Sequence, residues 1–249
     1  MHDNMLKLNP DKTEFLIIGN QTQRSKLTKI FPVDLMDHQF EKDQKSIRNL
    51  GVMFDKGFTL ARHIRDVCKP CFYHNRDLRR IRPHLSKSLS ITVANALVTS
   101  RLDYCNSLLM AVSDKHKKSL QRVQNCLARV ITKSSLYART TPLLQSLHWL
   151  PINSRIKFKY NLLTYKALTT GHPSYLSEQL DFHCHPKTLR SDTSKLLHPG
   201  PFPNRNYGCS SFPVVAPRLW NELPAHIRDA QSVGVIRKAL KTHYFLDPP

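Results

Sequence analysis

The sequence predicts an α+β protein that is mainly α, with a small β part, then a helical bundle, then a proline-rich C-terminal region. Short apolar runs with β-branched residues, a pattern typical of buried strands, lie before about residue 55. From about residue 58 the apolar residues recur at helical spacing. Much of the proline lies in 181–217, which is typical of loop. We therefore divide the chain into 1–55, 56–180 and 181–249.

The β part contains two strand-like segments and a weaker third. The run 13–18 ends at a glycine and predicts a buried strand, and 47–54 predicts a second strand in which Gly51 marks a bulge or a close backbone approach. A third strand is expected around 30–35. A chain that opens with such strands looks cut from a larger sheet. We therefore expect 1–55 to be marginally stable or prone to aggregation.

The first helix of the bundle has an apolar stripe on one side and basic residues on the other. The stripe consists of Leu60, Ile64, Val67, Cys71 and Leu78. Pro70 lies inside this pattern and should kink or break the helix, because a proline in a helix interior costs about 3 kcal/mol. Ser86 is the expected N-cap of the next helix, which is largely apolar and continues to Leu97.

Three further helices follow. Asp114 is expected to cap the first of them. Its apolar stripe is formed by Leu120, Val123, Leu127, Val130 and Ile131. Pro151 should occupy the first turn of another helix, which ends at Gly171. Ser232 should cap a terminal helix.

Charge is the strongest compositional indication of function. The chain has 38 Lys and Arg against 18 Asp and Glu, a net charge of +20. A surplus of this size favours a polyanionic partner, usually nucleic acid, although an anionic membrane surface or a ribosomal or chromatin setting is an alternative. We expect no membrane span and no signal peptide, because no apolar run is long enough for either. The six cysteines should be thiols in a reducing compartment, so an intracellular protein, nuclear or cytoplasmic, is expected.

Two basic stripes, opposite the apolar stripes of the helices near 62–80 and 115–133, are the candidate binding residues. They consist of Arg62, Arg65, Lys69, Arg76 and Arg80 on the first helix and Lys115, Lys118, Arg122, Arg129 and Lys133 on the second. A charged helix face is usually just solvated and mixes both signs. These stripes are nearly all positive, which favours contacts with backbone phosphates.

Aromatic and metal-binding alternatives are weaker. Tyr73, Trp149 and Tyr165 could stack on bases, but core packing is the favoured interpretation. Cys68 and Cys71, with His63 and His74 nearby, have the spacing of half a zinc site. Because no second pair follows, and His183-Cys184-His185 is isolated, we expect structural cysteines and no metal. No nucleophile elbow, HExxH motif or phosphate-binding glycine loop is present.

Several strings, in order, resemble the reverse transcriptases of non-LTR retrotransposons, the long interspersed elements of the chicken-repeat and jockey-like groups. LKLNPDKTEFL at 6–16 resembles the segment that follows the catalytic aspartates, and NLGV at 49–52 looks like the primer-grip hairpin. The similarity to the thumb lies in SRLDYCNSLL at 100–109, LQRVQN at 120–125, LHWLP at 147–151 and LTYKAL at 163–168. APRLWNELP at 216–224 resembles the C-terminal signature.

The resemblance implies a palm remnant in 1–55, a helical thumb in 56–180 that holds a template–primer duplex, and a C-terminal region. Leu50, Gly51 and Val52 would be the primer-grip-like residues, and Lys12 would lie near the incoming nucleotide. The family's catalytic aspartates bind Mg²⁺. This chain has no Asp-Asp pair. We therefore expect no cofactor and no polymerase activity from this chain alone, with Mg²⁺ expected only for an intact polymerase.

Three hypotheses follow. The first is a truncated, non-catalytic remnant that binds RNA, an RNA–DNA hybrid or duplex DNA through phosphates, or a relic without selected activity. The second is an interaction protein that reuses the thumb helices, with an intact element polymerase as a candidate partner. The third is a fragment of an active RNA-directed DNA polymerase whose upstream part is missing.

Overall fold

Helices make up most of the structure, a computed structural model that describes residues 9, 12–27, 33–35, 38–40, 44–183, 195–200 and 208–246. The strands are β1 (Val33–Leu35), β2 (His38–Phe40), β3 (Ser46–Asn49) and β4 (Val52–Asp55). The α-helices are α1 (Gln21–Leu27), α2 (Ala61–Ile81), α3 (Lys87–Ala94), α4 (Ser100–Asp103), α5 (Asp114–Thr132), α6 (Thr140–Ser146), α7 (Ile152–Thr170), α8 (Ser174–Ser177), α9 (Phe212–Asn221), α10 (Ala225–Arg228) and α11 (Val233–Leu246). The chain is thus mainly helical with small two-stranded sheets, as the sequence predicts.

The β part differs from its prediction. Strands β1 and β2 pair antiparallel, as do β3 and β4. β1 lies within the third strand expected around 30–35, of which 30–32 lies outside the described residues. The strand predicted at 13–18 is wrong, because that segment is irregular and no described strand pairs with it. Its backbone is held instead by single hydrogen bonds, such as the one from Gln44 N–H to the Phe15 carbonyl (3.0 Å).

The second predicted strand, 47–54, is a hairpin. Leu50 and Gly51 form its two-residue turn, with φ of 46° and 83°. Positive φ at both central residues is the geometry that matches the twist of two antiparallel strands. Gly51 therefore marks a turn and not a bulge, because glycine reaches this region without a steric penalty.

Helix α2 runs without interruption through Pro70, so the predicted break is wrong. The proline removes one backbone hydrogen bond, at a cost of about 3 kcal/mol. Ile64, Cys71 and Leu78 are almost completely buried on either side of it. Full burial of one large apolar side chain contributes about 1.5–3 kcal/mol. The apolar stripe therefore outweighs the proline.

Helix termini largely follow the sequence. Ser86 caps α3 by accepting the Leu89 N–H (3.1 Å), and Ser232 accepts the Val235 N–H (3.3 Å). Helix α7 ends at Gly171, which has φ of 67°. Asp114 is not a cap, because Ser113 occupies the N-cap position and Asp114 is the first helical residue. An acidic residue in the first turn still favours the helix, since the N-terminus carries partial positive charge.

The region after residue 181 contains more helix than predicted. Helix α9 begins at Phe212 and includes Pro213 near its start and Pro217 inside it, although 181–217 is typical of loop by composition. Pro213 needs no backbone donor at that position, because the first N–H groups of a helix have no partner within it. The described part of 181–211 is otherwise largely irregular.

The core is continuous from the hairpin to the last helix. Val52 of β4, Leu127 of α5, Ile156 of α7, Trp220 of α9 and Leu240 of α11 all belong to one buried cluster. Helix α7 packs against both α9 and α11. The Tyr244 hydroxyl accepts a hydrogen bond from Asn161 Nδ2 (2.6 Å), which joins α11 to α7. The division at residue 180 therefore stays a prediction about sequence organisation.

Candidate nucleic-acid interface

Helices α2 and α5 carry the two basic stripes and pack against each other through their apolar stripes. Asn75 Nδ2 donates to the Val123 carbonyl (3.1 Å), and further along Arg82 donates to the Ile131 carbonyl. Since both contacts join residues 48 or 49 positions apart, the helices run in the same direction. Parallel alignment places both C-termini at one end of the pair.

Arg82 fixes that end. It is only 7% exposed, and its Nε and Nη2 donate to the Ile131 carbonyl at 3.0 and 2.8 Å. Its Nη1 donates to the Leu85 carbonyl (2.7 Å). The Ile131 carbonyl belongs to the last turn of α5, where carbonyls have no partner within the helix. A buried guanidinium therefore completes the C-terminus of the neighbouring helix.

On α2, the stripe opposite the core is accessible along its whole length. Its five members, Arg62, Arg65, Lys69, Arg76 and Arg80, are all exposed. Arg62 donates to Ser46 Oγ (2.6 Å) and lies 4.0 Å from an Asp66 carboxylate oxygen, so it is partly engaged. From Arg62 to Arg80 the helix rises about 27 Å. That length matches roughly eight base steps of one nucleic-acid strand.

On α5, four of the five predicted residues are exposed, namely Lys115, Lys118, Arg122 and Lys133. Arg129 is half-buried and donates from Nε and Nη2 to the Ala138 carbonyl (3.3 and 3.1 Å). It therefore holds the loop after α5 as well as carrying charge. Lys133 ends the helix with φ of 54°.

Cations from both helices lie together at the C-terminal ends of α2 and α5. A cleft of about 400 Å³, the α2–α5 cleft, is lined by Arg79 and Arg82 from the end of α2 and by Arg129 and Lys133 from the end of α5. Arg79 is exposed and was not among the predicted site residues. It falls between the apolar and basic stripes, so periodicity alone could not assign it. We call Arg79 and the ten predicted residues the basic surface.

Of the aromatic candidates, only Tyr73 is accessible. Its ring is 55% exposed on α2 and the Arg76 guanidinium carbon lies 5.2 Å from the ring centroid. Core packing is therefore wrong for Tyr73. It is confirmed for Tyr165, which is buried and donates its hydroxyl to the Ala230 carbonyl (2.8 Å), and for Trp149, which is 8% exposed.

The primer-grip-like residues divide between turn and core. Leu50 is 84% exposed and Gly51 is exposed, both at the tip of the hairpin, whereas Val52 is buried. The Tyr104 hydroxyl donates to the Leu50 carbonyl, and a side chain at position 51 would contact the Tyr104 ring at 3.4 Å. The hairpin tip is thus fixed to the segment after α4. Lys12 lies exposed in a short helical turn.

The cysteine pair is part of the core of α2. Burial raises the pKa of both Cys68 and Cys71 to about 11, so both thiols are protonated near neutral pH. Metal ions bind the thiolate form. Within the residues that the structure describes, no three His, Cys, Asp or Glu side chains are grouped as metal ligands. Cys184 and His185, of the isolated His183 fragment, lie outside those residues.

The strings that resemble the reverse transcriptase family contact one another. Asp103 pairs with Arg155 through two hydrogen bonds (2.8 and 2.7 Å), which joins 100–109 to the start of α7. Gln124 Nε2 donates to the Leu150 carbonyl (2.9 Å) and so joins 120–125 to 147–151. Tyr165 and Trp220 pack with ring centroids 6.5 Å apart. Contacts within the fold therefore account for the residues at these positions of the strings.

Among the described residues, no helix combines the length and the apolar character that crossing a membrane requires. In comparisons with protein-family models, curated proteins and solved structures, the chain matches none of them.

Proposed function

We propose that this chain binds the phosphate backbone of nucleic acid through the basic surface on α2 and α5. The observation that carries the proposal is the meeting of Arg79, Arg129 and Lys133 in one cleft at the ends of two parallel helices whose basic stripes are exposed. Phosphate oxygens are the anions that repeat along such a length, and Lys and Arg contacts with them release counterions. Binding of this kind positions a strand without reading its sequence.

The charge of α2 and α5 favours phosphate binding over the alternative that these are ordinary solvated helix faces. Asp66 and Asp77 are the only acidic residues of α2, against seven Lys and Arg from Arg62 to Arg82. Asp114 is the only acidic residue of α5. A solvated helix face normally mixes both signs along its length. The partners we propose are an RNA–DNA hybrid, duplex DNA or RNA.

We further propose that the chain descends from the palm edge, thumb and C-terminal region of a non-LTR retrotransposon reverse transcriptase. Seven strings in the family's order support this ancestry. A thumb holds a nucleic-acid duplex by the phosphate backbone of the duplex. This is the same kind of contact that we propose for the basic surface. In this proposal the chain alone is not a polymerase, since the family's metal-binding aspartates are not in its sequence.

The experiment measures the binding of labelled RNA–DNA hybrid, duplex DNA and single-stranded RNA by fluorescence anisotropy across a salt titration. Lys118→Glu with Arg122→Glu removes two exposed charges from the basic surface. Lys166→Glu with Arg218→Glu is the matched control, because both residues are exposed on α7 and α9 and the change in net charge is the same.

We expect the affinity for the hybrid to fall steeply with salt, and K118E/R122E to flatten the slope by about 2. The affinity at constant salt should fall by roughly tenfold or more, and the control should change it by less than about threefold. Equal losses in both variants would mean that only net charge matters, and the proposal would then fail.

A second candidate, a protein-binding surface, is favoured by the exposed apolar residues of the segment after α2. Leu89 on α3 is 50% exposed and Leu97 on the following turn is 40% exposed. Clustered exposed apolar side chains are typical of surfaces that bind proteins, and these two lie eight residues apart along one helical segment. If K118E/R122E leaves nucleic-acid binding unchanged while Leu89→Ser with Leu97→Ser abolishes self-association or capture of an intact element polymerase, this candidate replaces the first.

A further inference from the structure

A second cleft lies on a different part of the molecule from the basic surface. It has a volume of about 590 Å³ and is lined by the segment after α3, by α7, by α11 and by the loop 147–150. None of its lining residues belongs to α2 or α5. We call it the α7–α11 cleft. Its volume falls within the range of sites that bind small organic ligands.

The α7–α11 cleft carries a net positive charge. Asp103 lines it, but Arg155 neutralises this carboxylate through two short hydrogen bonds (2.8 and 2.7 Å). Three further cations remain, Lys159 on α7 and Arg237 and Lys241 on α11, and all three are exposed. In the described part of the chain none of them forms an ion pair. Arg237 and Lys241 are four residues apart, so they lie side by side on one face of α11.

The walls of the cleft offer a different chemistry from its cations. The half-buried Phe158 supplies aromatic surface, and Trp149 and Leu150, both largely buried, supply a small apolar area of the wall. Asn95 and Thr99 supply an amide and a hydroxyl from a π-helical turn over Asn95–Thr99. Such turns carry one extra residue and occur frequently at functional sites.

One buried polar group in the wall has no partner among the described protein atoms. Asn106 is only 5% exposed, and its Oδ1 accepts no hydrogen bond from them. Its Nδ2 lies 3.5 Å from Asp103 Oδ1, at the limit of a hydrogen bond. A buried acceptor without a donor costs about 1–3 kcal/mol, so a donor on a bound ligand would stabilise this group.

We propose that the α7–α11 cleft binds a nucleotide. Its phosphates contact Lys159, Arg237 and Lys241, and its base packs against Phe158 and the apolar wall with amide and hydroxyl groups at the base edges. A purely inorganic polyphosphate uses the cations but not the aromatic wall, and an apolar ligand uses the wall but not three cations. The nucleotide is either free or the end of a nucleic-acid strand, since both present the same chemistry.

The test uses the full chain and ATP that carries a fluorescent label on the ribose. Lys159→Glu with Lys241→Glu reverses one charge on α7 and one on α11 inside the cleft. The matched control is Lys166→Glu with Lys238→Glu, which makes the same changes on the same two helices at exposed residues outside the cleft. Circular dichroism checks that both variants keep the helical content of the parent chain.

We expect K159E/K241E to weaken ATP binding by about tenfold or more, and the control to change it by less than about twofold. Unlabelled ATP should displace the label at a lower concentration than inorganic triphosphate. A 5′-phosphorylated RNA decamer that also displaces the label assigns the cleft to a strand end, and its failure to do so assigns it to a free nucleotide.

Three outcomes would overturn the proposal: no saturable ATP binding up to about 1 mM, equal losses in both variants, or displacement by inorganic triphosphate as effective as by ATP. K118E/R122E on the basic surface should leave ATP binding unchanged. A failure of the nucleotide site is therefore distinguishable from a failure of the proposed nucleic-acid binding.

Discussion

Arg82 should be among the residues whose loss most destabilises the α2–α5 pair. Its buried guanidinium donates three hydrogen bonds to two carbonyls, those of Ile131 and Leu85. A hydrogen bond that involves a charged group contributes about 1.5–3 kcal/mol. Arg82→Met keeps the length of the side chain and removes every donor, which leaves the Ile131 carbonyl without its partner.

The net effect is smaller than the sum of the three bonds, because methionine also removes the cost of burying a charge. We expect the free energy of unfolding to fall by about 3 kcal/mol. With an m-value of about 3 kcal/mol/M, the urea midpoint should fall by about 1 M. The urea midpoint of Arg82→Lys should lie between those of the parent chain and Arg82→Met. Lysine keeps a charged donor, but it lacks the planar fork that reaches both carbonyls.

Urea unfolding followed by far-UV circular dichroism measures this change, since most of the described chain is helical. Arg80→Met is the control, because Arg80 is exposed two residues before Arg82 and should change the stability by less than about 0.5 kcal/mol. Equal midpoints for R82M and R80M would refute the view that Arg82 holds the ends of the two helices together.

Two further predictions concern pH and proteolysis. Burial lowers the pKa of His63 below its ordinary 6.5; the Asp66 carboxylate opposes this with a smaller effect, and the Arg48 guanidinium adds to it. At acidic pH the unfolded chain therefore binds more protons at His63 than the folded chain does. The contribution of His63 to the free energy of unfolding is fully present above about pH 6.5 and is lost as the pH falls below that value. His63→Gln should reduce this loss in urea midpoints measured between pH 5 and 8. In limited trypsin digestion, 1–55 should be cut before the helices, because its described segment before the β3–β4 hairpin is joined to later residues by single backbone hydrogen bonds.

Each of these predictions can fail in a specific way. If the midpoint of H63Q declines with acid as steeply as that of the parent chain, another group controls the loss. If trypsin cuts inside α2 or α5 while 1–55 stays intact, the N-terminal part is the more stable one.

Periodicity predicted the helices well where one face is buried. The apolar stripe of α5 is buried throughout, and four of the five stripe residues of α2 are buried. Ser86 and Ser232 were identified as caps because a hydroxyl just before an apolar helical run has few other uses. The exposure of the basic stripes followed from the same pattern, since a helix that buries one face must expose the other.

Where local rules failed, an interaction from elsewhere in the chain outweighed them. Pro70 predicted a kink or a break, but the burial on both sides of it keeps α2 unbroken. The run 13–18 predicted a strand, yet a strand forms only if a partner pairs with it. Core packing was predicted for Tyr73, but its position on α2 leaves the side chain exposed to solvent beside Arg76.

The sequence by itself determined that this protein is mainly helical, strongly basic and has two helix faces that are nearly all positive, because charge and periodicity are properties of local segments. Tertiary structure alone decided that α2 and α5 run in parallel, that Arg79 joins Arg129 and Lys133 in one cleft, and that Lys159 meets Arg237 and Lys241 in another. These meetings join residues 50 or more positions apart. Their geometry depends on how whole helices pack, and the spacing of residues within one helix carries no information about it.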